Sequence, residues 1–359
     1  MGSPESSPSA PRERRLESAQ RTTLSPQSSP RIVVALPATI HPSFLDAVRQ
    51  VSPRIDVVIV ANDRPLPDGI ERASVFFRSY ALERDVVDAV LERARALQWM
   101  HVPAAGVDVA LTPNVMAASF AITNVSHVYD VPVAELSLAV MLAAAKRLPT
   151  YWNAQREARW HRAASWDEVE QEQTVPELLR GKTAAILGFG GTGGTLAGML
   201  RPLGMRIIGF RRDPRPDARA DAMYGPGQLR EVLSEGDFVV LTLPLTGTTE
   251  RIIGAAEIAS MKPTAWLVNV GRGGLIDDDA MIAALESGRI AGACLDVFSR
   301  EPLPSDSPYY RLPNVILTPH IAGAFPDLND RDREVFVAEL RRFVAGEPLQ
   351  STIDRARGY

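Results

Sequence analysis

The sequence contains a single cysteine, Cys294, so no disulfide can form within the chain. It has no excess of basic residues either: the formal net charge is -4, which leaves no basic face for a nucleic acid. No apolar run approaches the roughly 20 residues that cross a bilayer, and the first residues lack the hydrophobic core of a signal peptide. We therefore expect a cytoplasmic protein that binds neither nucleic acid nor membrane.

The length of 359 residues exceeds that of a typical single domain, so two domains are expected. Residues 1–30 are rich in Ser, Pro, Arg and Gln and almost free of large apolar side chains. Such a segment cannot bury enough surface to offset its ordering entropy, which predicts a disordered tail.

From Arg31 onward, short apolar runs rich in β-branched residues alternate with stretches that carry apolar residues at helical spacing. Four runs come first: RIVVALP, DVVIVA, SVFFRS and QWMHVP. Six more follow later in the chain: TAAILGFG, MRIIGFRR, DFVVLTLP, AWLVNVG, AGACLDVF and NVILTPH. Strands alternating with helices indicate parallel sheets covered on both faces, and six parallel strands are what a dinucleotide-binding doubly wound sheet requires.

Two helical regions lie outside this alternation. The stretch VPVAELSLAVMLAAAKRLP is short of charge on every face, and YWNAQREARWHR follows it, so we expect burial partly against a second subunit. Because the two-fold dimer is the commonest closed assembly, we predict a homodimer built on this region. The closing stretch REVFVAELRRFVAGEPLQ predicts one amphipathic helix that ends near Gly346 and packs on the first domain.

The segment from Gly188 to Gly193 matches G-x-G-x-x-G, with an apolar strand before it and a helix after it. Gly188 would allow the tight turn, Gly190 the approach of a pyrophosphate, and Gly193 close packing of helix on strand. The amides of Gly191 and Thr192 would lie at the helix start, where the dipole and unpaired N–H groups attract anions. This context predicts a dinucleotide-binding turn rather than a purely structural one.

The next strand ends at Phe210, beside the expected position of the adenosine ribose. An NAD enzyme usually places Asp or Glu there, whereas this chain has Arg211 and Arg212. Guanidinium groups can bind a 2′-phosphate, which a carboxylate would repel. We therefore expect NADP(H) to be preferred over NAD(H). The alternative is a solvated arginine cluster with Asp213 bonding the ribose.

Three later segments carry chemically useful residues at loop positions after strands: NVGRGGLID with Arg272, LDVFSREP with Glu301 and TPHIAG with His320. With the glycine turn, LPLTGTT, AAGVD and PVAE, they make the sequence resemble the D-isomer-specific 2-hydroxy acid dehydrogenases over roughly residues 31–359. The closing GEPLQSTIDRARGY is similar to the glyoxylate/hydroxypyruvate reductase branch.

The resemblance implies an α/β fold of two doubly wound parallel-sheet domains, with a Rossmann dinucleotide-binding domain inserted in a flavodoxin-like substrate domain. Residues 31–125 and 322–359 would form the substrate (catalytic) domain, and residues 126–321 the NAD(P)-binding domain. The substrate site would lie in the cleft between them, at the carboxyl ends of the strands.

The chemistry of a 2-oxo acid explains the three catalytic candidates. Hydride addition places charge on the carbonyl oxygen, which then needs a proton donor and a cation nearby. Imidazole exchanges protons near neutral pH, so His320 suits the donor role. Glu301 would favour the protonated ring and hold its orientation. Arg272 would contact the substrate carboxylate and carbonyl together, which fixes the pose for attack.

The resemblance also implies supporting roles around the cofactor. Asp296 would contact the nicotinamide carboxamide, and Pro244 with Val270 would line the nicotinamide pocket. Trp160 would approach the active site of the partner in a dimer.

On the substrate side, the resemblance implies that the backbone amides around Ala105, Gly106 and Val107 bind the substrate carboxylate. Arg78 and Tyr80 lie just past a predicted strand. They either face the substrate side chain or lie on the plain surface.

One segment departs from the family pattern. Where many relatives read N-x-x-G before the long helix, this chain reads Asn124-Val-Ser-His127. This is either a tolerated loop change or a change of the hinge or substrate pocket. His41, His101 and His161 have no catalytic context, and we expect structural or surface roles for them.

Glyoxylate and hydroxypyruvate are the leading substrates, and no metal is expected. An NAD-dependent D-2-hydroxyacid dehydrogenase with another substrate is one alternative. A formate-type dehydrogenase is disfavoured because that branch lacks the acidic partner that Glu301 supplies. A nucleotide-sensing regulator that kept the fold is disfavoured because a sensor has no need of a proton donor.

Overall fold

The computed structural model describes residues 30–161 and 175–359. The predicted tail, residues 1–30, lies outside these ranges except for Pro30. The strands β1 to β12 are Ile32–Pro37, Ile55–Val60, Ala73–Phe77, Trp99–His101, Ala121–Thr123, Thr183–Leu187, Arg206–Phe210, Ala222–Tyr224, Phe238–Leu241, Trp266–Asn269, Gly292–Leu295 and Val315–Leu317. The described α-helices, α1 to α10, are Pro42–Gln50, Arg84–Arg93, Pro113–Ala117, Asp130–Ala145, Leu148–Arg156, Gly191–Leu200, Leu229–Glu235, Ala255–Ser260, Asp278–Glu286 and Leu328–Ala345. Within the described ranges, no helix is both long and apolar enough to cross a membrane.

The first five strands form a parallel sheet in the order β2-β1-β3-β4-β5. This is the strand order of flavodoxin-like doubly wound sheets. Strand β3 reads ASVFF with every residue buried, as expected of a strand covered on both faces. The four predicted strands are present. Strand β5 is an addition, since the three residues AIT are too short to give a strand pattern.

The other seven strands form a second parallel sheet, in the order β12-β11-β10-β9-β6-β7-β8. This is the Rossmann order with one further strand at the β12 end. The prediction of six strands was one short, because β8 contributes only the three half-buried residues AMY beside β7. Three residues without a longer apolar run around them give no pattern that predicts a strand.

Helix α4 packs on the seven-stranded sheet through side chains that include Ala134 and Met141, both fully buried. Beneath it on β11, the Cys294 thiol donates to the carbonyl of Val140 at 3.7 Å. Burial raises the pKa of this thiol, so the lone cysteine is an unreactive part of the core. The helix is not covered all round, since Val131 at its start is 50% exposed.

Helix α10 returns to the five-stranded domain, as predicted, and ends at Gly346 in the left-handed conformation with φ 72°. Phe336 on this helix is fully buried, and its ring stacks on Trp99 with the centroids 5.2 Å apart. Beyond the helix, Thr352 forms an antiparallel bridge with Thr123 on β5. The seven-stranded Rossmann domain is therefore inserted into the five-stranded domain.

Candidate active site

The three catalytic candidates follow three neighbouring strands. Arg272 comes after β10, Glu301 after β11 and His320 after β12, and these strands are adjacent in the sheet. The carboxyl ends of parallel strands lie at one edge of a sheet, so the loops that carry the three residues meet there.

The imidazole of His320 is bonded to Glu301. His320 Nδ1 lies 2.6 Å from Glu301 Oε2, while Glu301 Oε1 accepts from the backbone N–H of Phe298 at 2.9 Å. Both carboxylate oxygens of Glu301 are thus engaged, which fixes the direction in which it holds the ring. Since Nδ1 is occupied, Nε2 is the ring nitrogen left to exchange a proton with a substrate.

The backbone at His320 is strained, and hydrogen bonds to Asp296 hold it in this conformation. His320 has φ 53°, an uncommon conformation for a residue other than glycine. Its N–H donates to the Asp296 carbonyl at 2.7 Å. The Asp296 side chain accepts from the Thr318 hydroxyl at 2.6 Å and from the N–H groups of Ile321 and Ala322 at 3.0 Å. Asp296 is 2% exposed, and its carboxylate anchors the loop that carries His320.

Arg272 reaches across to the five-stranded domain. Its Nε donates to Asp108 Oδ1 at 3.0 Å, and its Nη1 donates to the Gly271 carbonyl at 2.7 Å. Its Nη2 lies against Gly106, where a Cβ would come within 1.2 Å of it. Only glycine at this position allows so close an approach. The contact joins the catalytic arginine to the predicted carboxylate-binding segment.

That segment offers free backbone donors. Within the described residues, the amides of Ala105, Gly106 and Val107 form no backbone hydrogen bond. Asn124 Nδ2 donates to the carbonyl of Ala105 at 2.8 Å, which steadies the loop. His127, three residues on, is exposed at the turn before α4.

Arg78 and Tyr80 lie next to the same segment. The Tyr80 hydroxyl donates to the carbonyl of Gly106 at 3.1 Å, and the Arg78 guanidinium stacks 4.5 Å from the Tyr80 ring centroid. Arg78 is only 9% exposed, and burial lowers the pKa of its guanidinium. The two residues border a cavity of about 250 Å³ that Met100 and Val115 help to line. Of the two interpretations left open, the plain surface role does not apply to Arg78.

The glycine turn has the form that a dinucleotide requires. Gly188 has φ 103°, and a Cβ there would lie 2.6 Å from the backbone of Thr242. A Cβ on Gly193 would lie 2.6 Å from the carbonyl oxygen of Gly188. By contrast, nothing described lies within 4 Å of a Cβ built on Gly190, so its backbone is open to a ligand. These residues fit a bound pyrophosphate.

Helix α6 begins at Gly191, so the amides of Gly191 and Thr192 are at its open end. Asp130, which no sequence motif indicated, lies beside them. Its Oδ1 accepts from the Thr192 hydroxyl at 2.9 Å, and burial raises its pKa. Asp130 is the first residue of α4, so this bond ties the start of α4 to the glycine turn.

The two adjacent arginines in the loop after β7, Arg211 and Arg212, have different surroundings. Arg211 is built into the loop: its Nη2 donates to the Arg215 carbonyl at 2.6 Å, and its Nη1 lies 3.7 Å from Asp217. Asp217 also pairs with Arg219, which lowers the pKa of its carboxyl. Arg212 is exposed, and within the described residues it forms no ion pair.

The remaining candidates line the same edge of the sheet. Asp213, considered as the alternative ribose ligand, pairs with Arg215 at 2.6 Å and remains 60% exposed. Pro244 follows β9, and its carbonyl accepts from Thr249 at 2.6 Å. Val270 directly follows β10 and is 9% exposed.

The histidines without catalytic context have structural surroundings. His101 is fully buried, its Nδ1 lies 2.8 Å from the Thr123 hydroxyl, and burial lowers its pKa to about 3. His41 accepts from the N–H of Ser43 at the start of α1. In the described part of the chain, no three His, Cys, Asp or Glu side chains cluster as a metal site would require.

The chain is similar in sequence to known proteins. The model for the NAD-binding domain of D-isomer specific 2-hydroxyacid dehydrogenases matches residues 138–322. The chain is 34% identical to the glyoxylate reductase of Korarchaeum cryptofilum over 279 residues, which are 77% of this chain and 82% of that protein. It is 36% identical to the glyoxylate reductase of Thermococcus gammatolerans over 235 residues, which are 65% and 69% of the two chains.

A solved structure resembles the whole described fold. It is a D-isomer specific 2-hydroxyacid dehydrogenase from Xanthobacter autotrophicus Py2 in complex with NADPH and MES. The likeness has a TM-score of 0.77 at 29% identity and covers 92% of this chain and 100% of that one. The chain therefore belongs to the D-isomer specific 2-hydroxyacid dehydrogenases and is an NAD(P)-dependent oxidoreductase.

Proposed function

We propose that this dehydrogenase reduces small 2-oxo acids, glyoxylate and hydroxypyruvate first among them, to D-2-hydroxy acids, or catalyses the reverse, with NADP(H) preferred over NAD(H). The observation that carries the proposal is the contact of Arg272 with Gly106, combined with the bonded pair of His320 and Glu301. An anion-binding group and a proton-exchanging group thus occur at one edge of the sheet, as a 2-oxo acid requires.

The substrate carboxylate would be held between the two domains. Asp108 and Gly271 engage Nε and Nη1 of Arg272, which leaves Nη2 at Gly106 for the carboxylate. The free amides of residues 105–107 would complete the anion site. The Tyr80 hydroxyl donates to the Gly106 carbonyl, which helps to hold this anion-binding segment in place.

His320 would donate a proton from Nε2 to the substrate oxygen as charge develops there. Glu301 on Nδ1 would stabilise the imidazolium and keep the ring in position. A bound nicotinamide supplies the hydride. We propose that Pro244, Val270 and Asp296 lie around the nicotinamide, with Asp296 acting also through the loop it anchors. In the reverse direction, neutral His320 would accept the hydroxyl proton.

The cofactor would lie along the glycine turn. Gly188, Gly190 and Gly193 would shape the turn for the pyrophosphate, whose oxygens the amides of Gly191 and Thr192 would bind. The preference for NADP(H) is supported by Arg212, which is exposed and pairs with none of the described carboxylates. Arg211 would support it by holding the loop and adding positive charge.

We propose the domain boundaries at residues 31–125 with 322–359 and at residues 126–321. With these bounds the chain passes between the domains twice, at residues 125–126 and 321–322, and the two passages lie close together. The Tyr129 ring packs so closely on Gly323 that a Cβ on this glycine would come within 2.5 Å of it. A hinge at these two crossings would let the domains close on the substrate and exclude water.

The test is to measure kcat/KM for glyoxylate, hydroxypyruvate, pyruvate and 2-oxoglutarate with NADPH and with NADH. We expect glyoxylate and hydroxypyruvate to be the best substrates. A charge-assisted hydrogen bond contributes about 1.5–3 kcal/mol, and two arginines can share one phosphate. The kcat/KM with NADPH should therefore exceed that with NADH by about ten- to several-hundred-fold.

Three results would contradict parts of the proposal. Equal efficiency with both cofactors would mean that the arginines only face solvent. Efficient turnover of another acid alone would point to a D-2-hydroxyacid dehydrogenase of different specificity. Tight cofactor binding without turnover of any acid would favour a nucleotide-sensing regulator.

A further inference from the structure

The last residues of the chain form a closed turn. The N–H groups of Arg357 and Gly358 donate to the carbonyl of Asp354 at 3.1 and 2.9 Å, and Asp354 N–H donates to the main-chain oxygen of Tyr359 at 3.1 Å. Gly358 has φ 77°, a left-handed conformation that glycine adopts without strain. Just before the turn, Ile353 N–H donates to Ile122 on β5 at 2.8 Å. The turn is therefore anchored in the five-stranded domain.

The turn nevertheless contacts the other domain. The Tyr359 ring centroid lies 5.2 Å from the guanidinium carbon of Arg212, in the loop after β7. A Cβ on Gly358 would lie 3.8 Å from the methyl group of Thr246, in the loop after β9. These are two loops at the edge of the Rossmann sheet where the cofactor would bind. The five-stranded domain thus supplies a side chain to the proposed adenosine end of the cofactor site.

The two adjacent arginines differ in what holds them. Arg211 is fixed by Arg215 and Asp217. Arg212, by contrast, forms no ion pair with any residue in the described ranges. A free arginine side chain samples many rotamers, and binding a phosphate removes part of this freedom. Stacking on an aromatic ring occupies the face of the guanidinium and leaves its N–H edges free. Tyr359 therefore can orient Arg212 without using the donors that a phosphate needs.

We infer that Tyr359 is a positioning residue for cofactor specificity: its ring orients Arg212 toward the 2′-phosphate of NADP. The inference rests on the proposed function, in which Arg212 binds that phosphate. It makes the closing turn, residues 354–359, part of the cofactor site although the turn belongs to the other domain. NADH, which lacks the phosphate, gains nothing from the stacking.

The experiment measures binding rather than turnover. Dissociation constants of NADPH, NADH, 2′,5′-ADP and 5′-AMP are determined by titration for the native protein, Tyr359→Ala and Tyr359→Phe. An exposed cation–π contact contributes about 0.5–1 kcal/mol, so Tyr359→Ala should weaken the two phosphate-bearing ligands about two- to fivefold. NADH and 5′-AMP should bind as before, which also verifies the fold. Tyr359→Phe keeps the ring and should restore native binding.

Arg212→Gln separates this inference from the proposal beneath it. We expect Arg212→Gln alone to weaken NADPH more than NADH, and Tyr359→Ala to add no further loss in that background. If Arg212→Gln leaves the ratio of the two dissociation constants unchanged, Arg212 does not bind the 2′-phosphate, and both this part of the proposed function and the inference fail. If Arg212→Gln lowers the ratio while Tyr359→Ala does not, or weakens all four ligands alike, only the inference about Tyr359 is wrong.

Discussion

At the scale of single residues, carboxylates hold Arg272 and His320 in position. Asp108 holds Arg272 at 3.0 Å, and Glu301 holds His320 at 2.6 Å. In each pair the carboxylate lies in a different loop from its partner, so the pairing depends on the tertiary fold. Charge-assisted bonds of this kind give orientation as well as energy, which the chemistry of a small substrate needs.

Asp332 on α10 is a carboxylate with a different environment. It is 6% exposed, and its Oδ1 has no hydrogen-bond partner within the described residues. The Tyr129 hydroxyl donates to its Oδ2 at 3.4 Å, and Arg333 is the cation nearby. Burial raises the pKa of Asp332 to about 6. The folded protein thus favours the protonated acid.

We predict that Asp332→Asn changes how stability depends on pH. An unfolded aspartate has a pKa of about 3.9, so the native acid contributes stability below about pH 4 and this contribution is lost as the pH rises through about 6. The neutral amide does not titrate. The free energy of unfolding, measured in urea at pH 5 and pH 7.5, should therefore rise for the variant relative to the native protein as the pH increases. Asp330→Asn, on the exposed side of the same helix, is the control and should lack this shift. An equal difference at both pH values would contradict the assignment.

At the scale of elements, strands within an apolar run could be predicted, including the three-residue edge strand β12, whereas β5 and β8 could not. Strand β9 reads FVVL and is fully buried, so its pattern is visible in the sequence. Strands β5 and β8 have three residues each and form because a neighbouring strand offers unpaired backbone groups. Local patterns carry no information about such pairing.

In the candidate site, too, local sequence patterns indicate some residues, whereas other contacts depend on the tertiary fold. Arg272, Glu301 and His320 could be predicted because each follows a strand whose pattern is strong. Asp108 was visible within AAGVD, yet its bond to Arg272 depends on how the two domains meet. The contacts of Asp130 with Thr192 and of Tyr359 with Arg212 likewise join segments that are distant in sequence.

At the scale of the whole molecule, α4 and α5 leave apolar surface uncovered. Val131 is 50% exposed, Leu142 36%, Trp152 47% and Trp160, just beyond α5, 88%. Large exposed apolar side chains concentrated in one region are typical of a protein interface. This surface is where the homodimer was predicted.

We predict a two-fold dimer through this region. Light scattering at micromolar concentration should give twice the mass of one chain. Leu142→Arg, which puts a charge on the exposed side of α4, should shift the protein toward the monomer. As a control, Arg84→Ala on helix α2 of the five-stranded domain should leave the mass unchanged. A native monomer would contradict the prediction.

The central claim is that His320, held by Glu301, exchanges the proton with the substrate. The measurement that tests it most directly is kcat for glyoxylate with saturating NADPH in the native enzyme, His320→Gln and Glu301→Gln, with His41→Gln as a histidine control on the surface. General acid–base catalysis contributes about 10²–10⁴-fold, so kcat of His320→Gln should fall by that factor while its dissociation constant for NADPH stays native. The kcat of Glu301→Gln should also fall, whereas the kcat of His41→Gln should stay at the native value. A His320→Gln enzyme that keeps most of its kcat would contradict the mechanism.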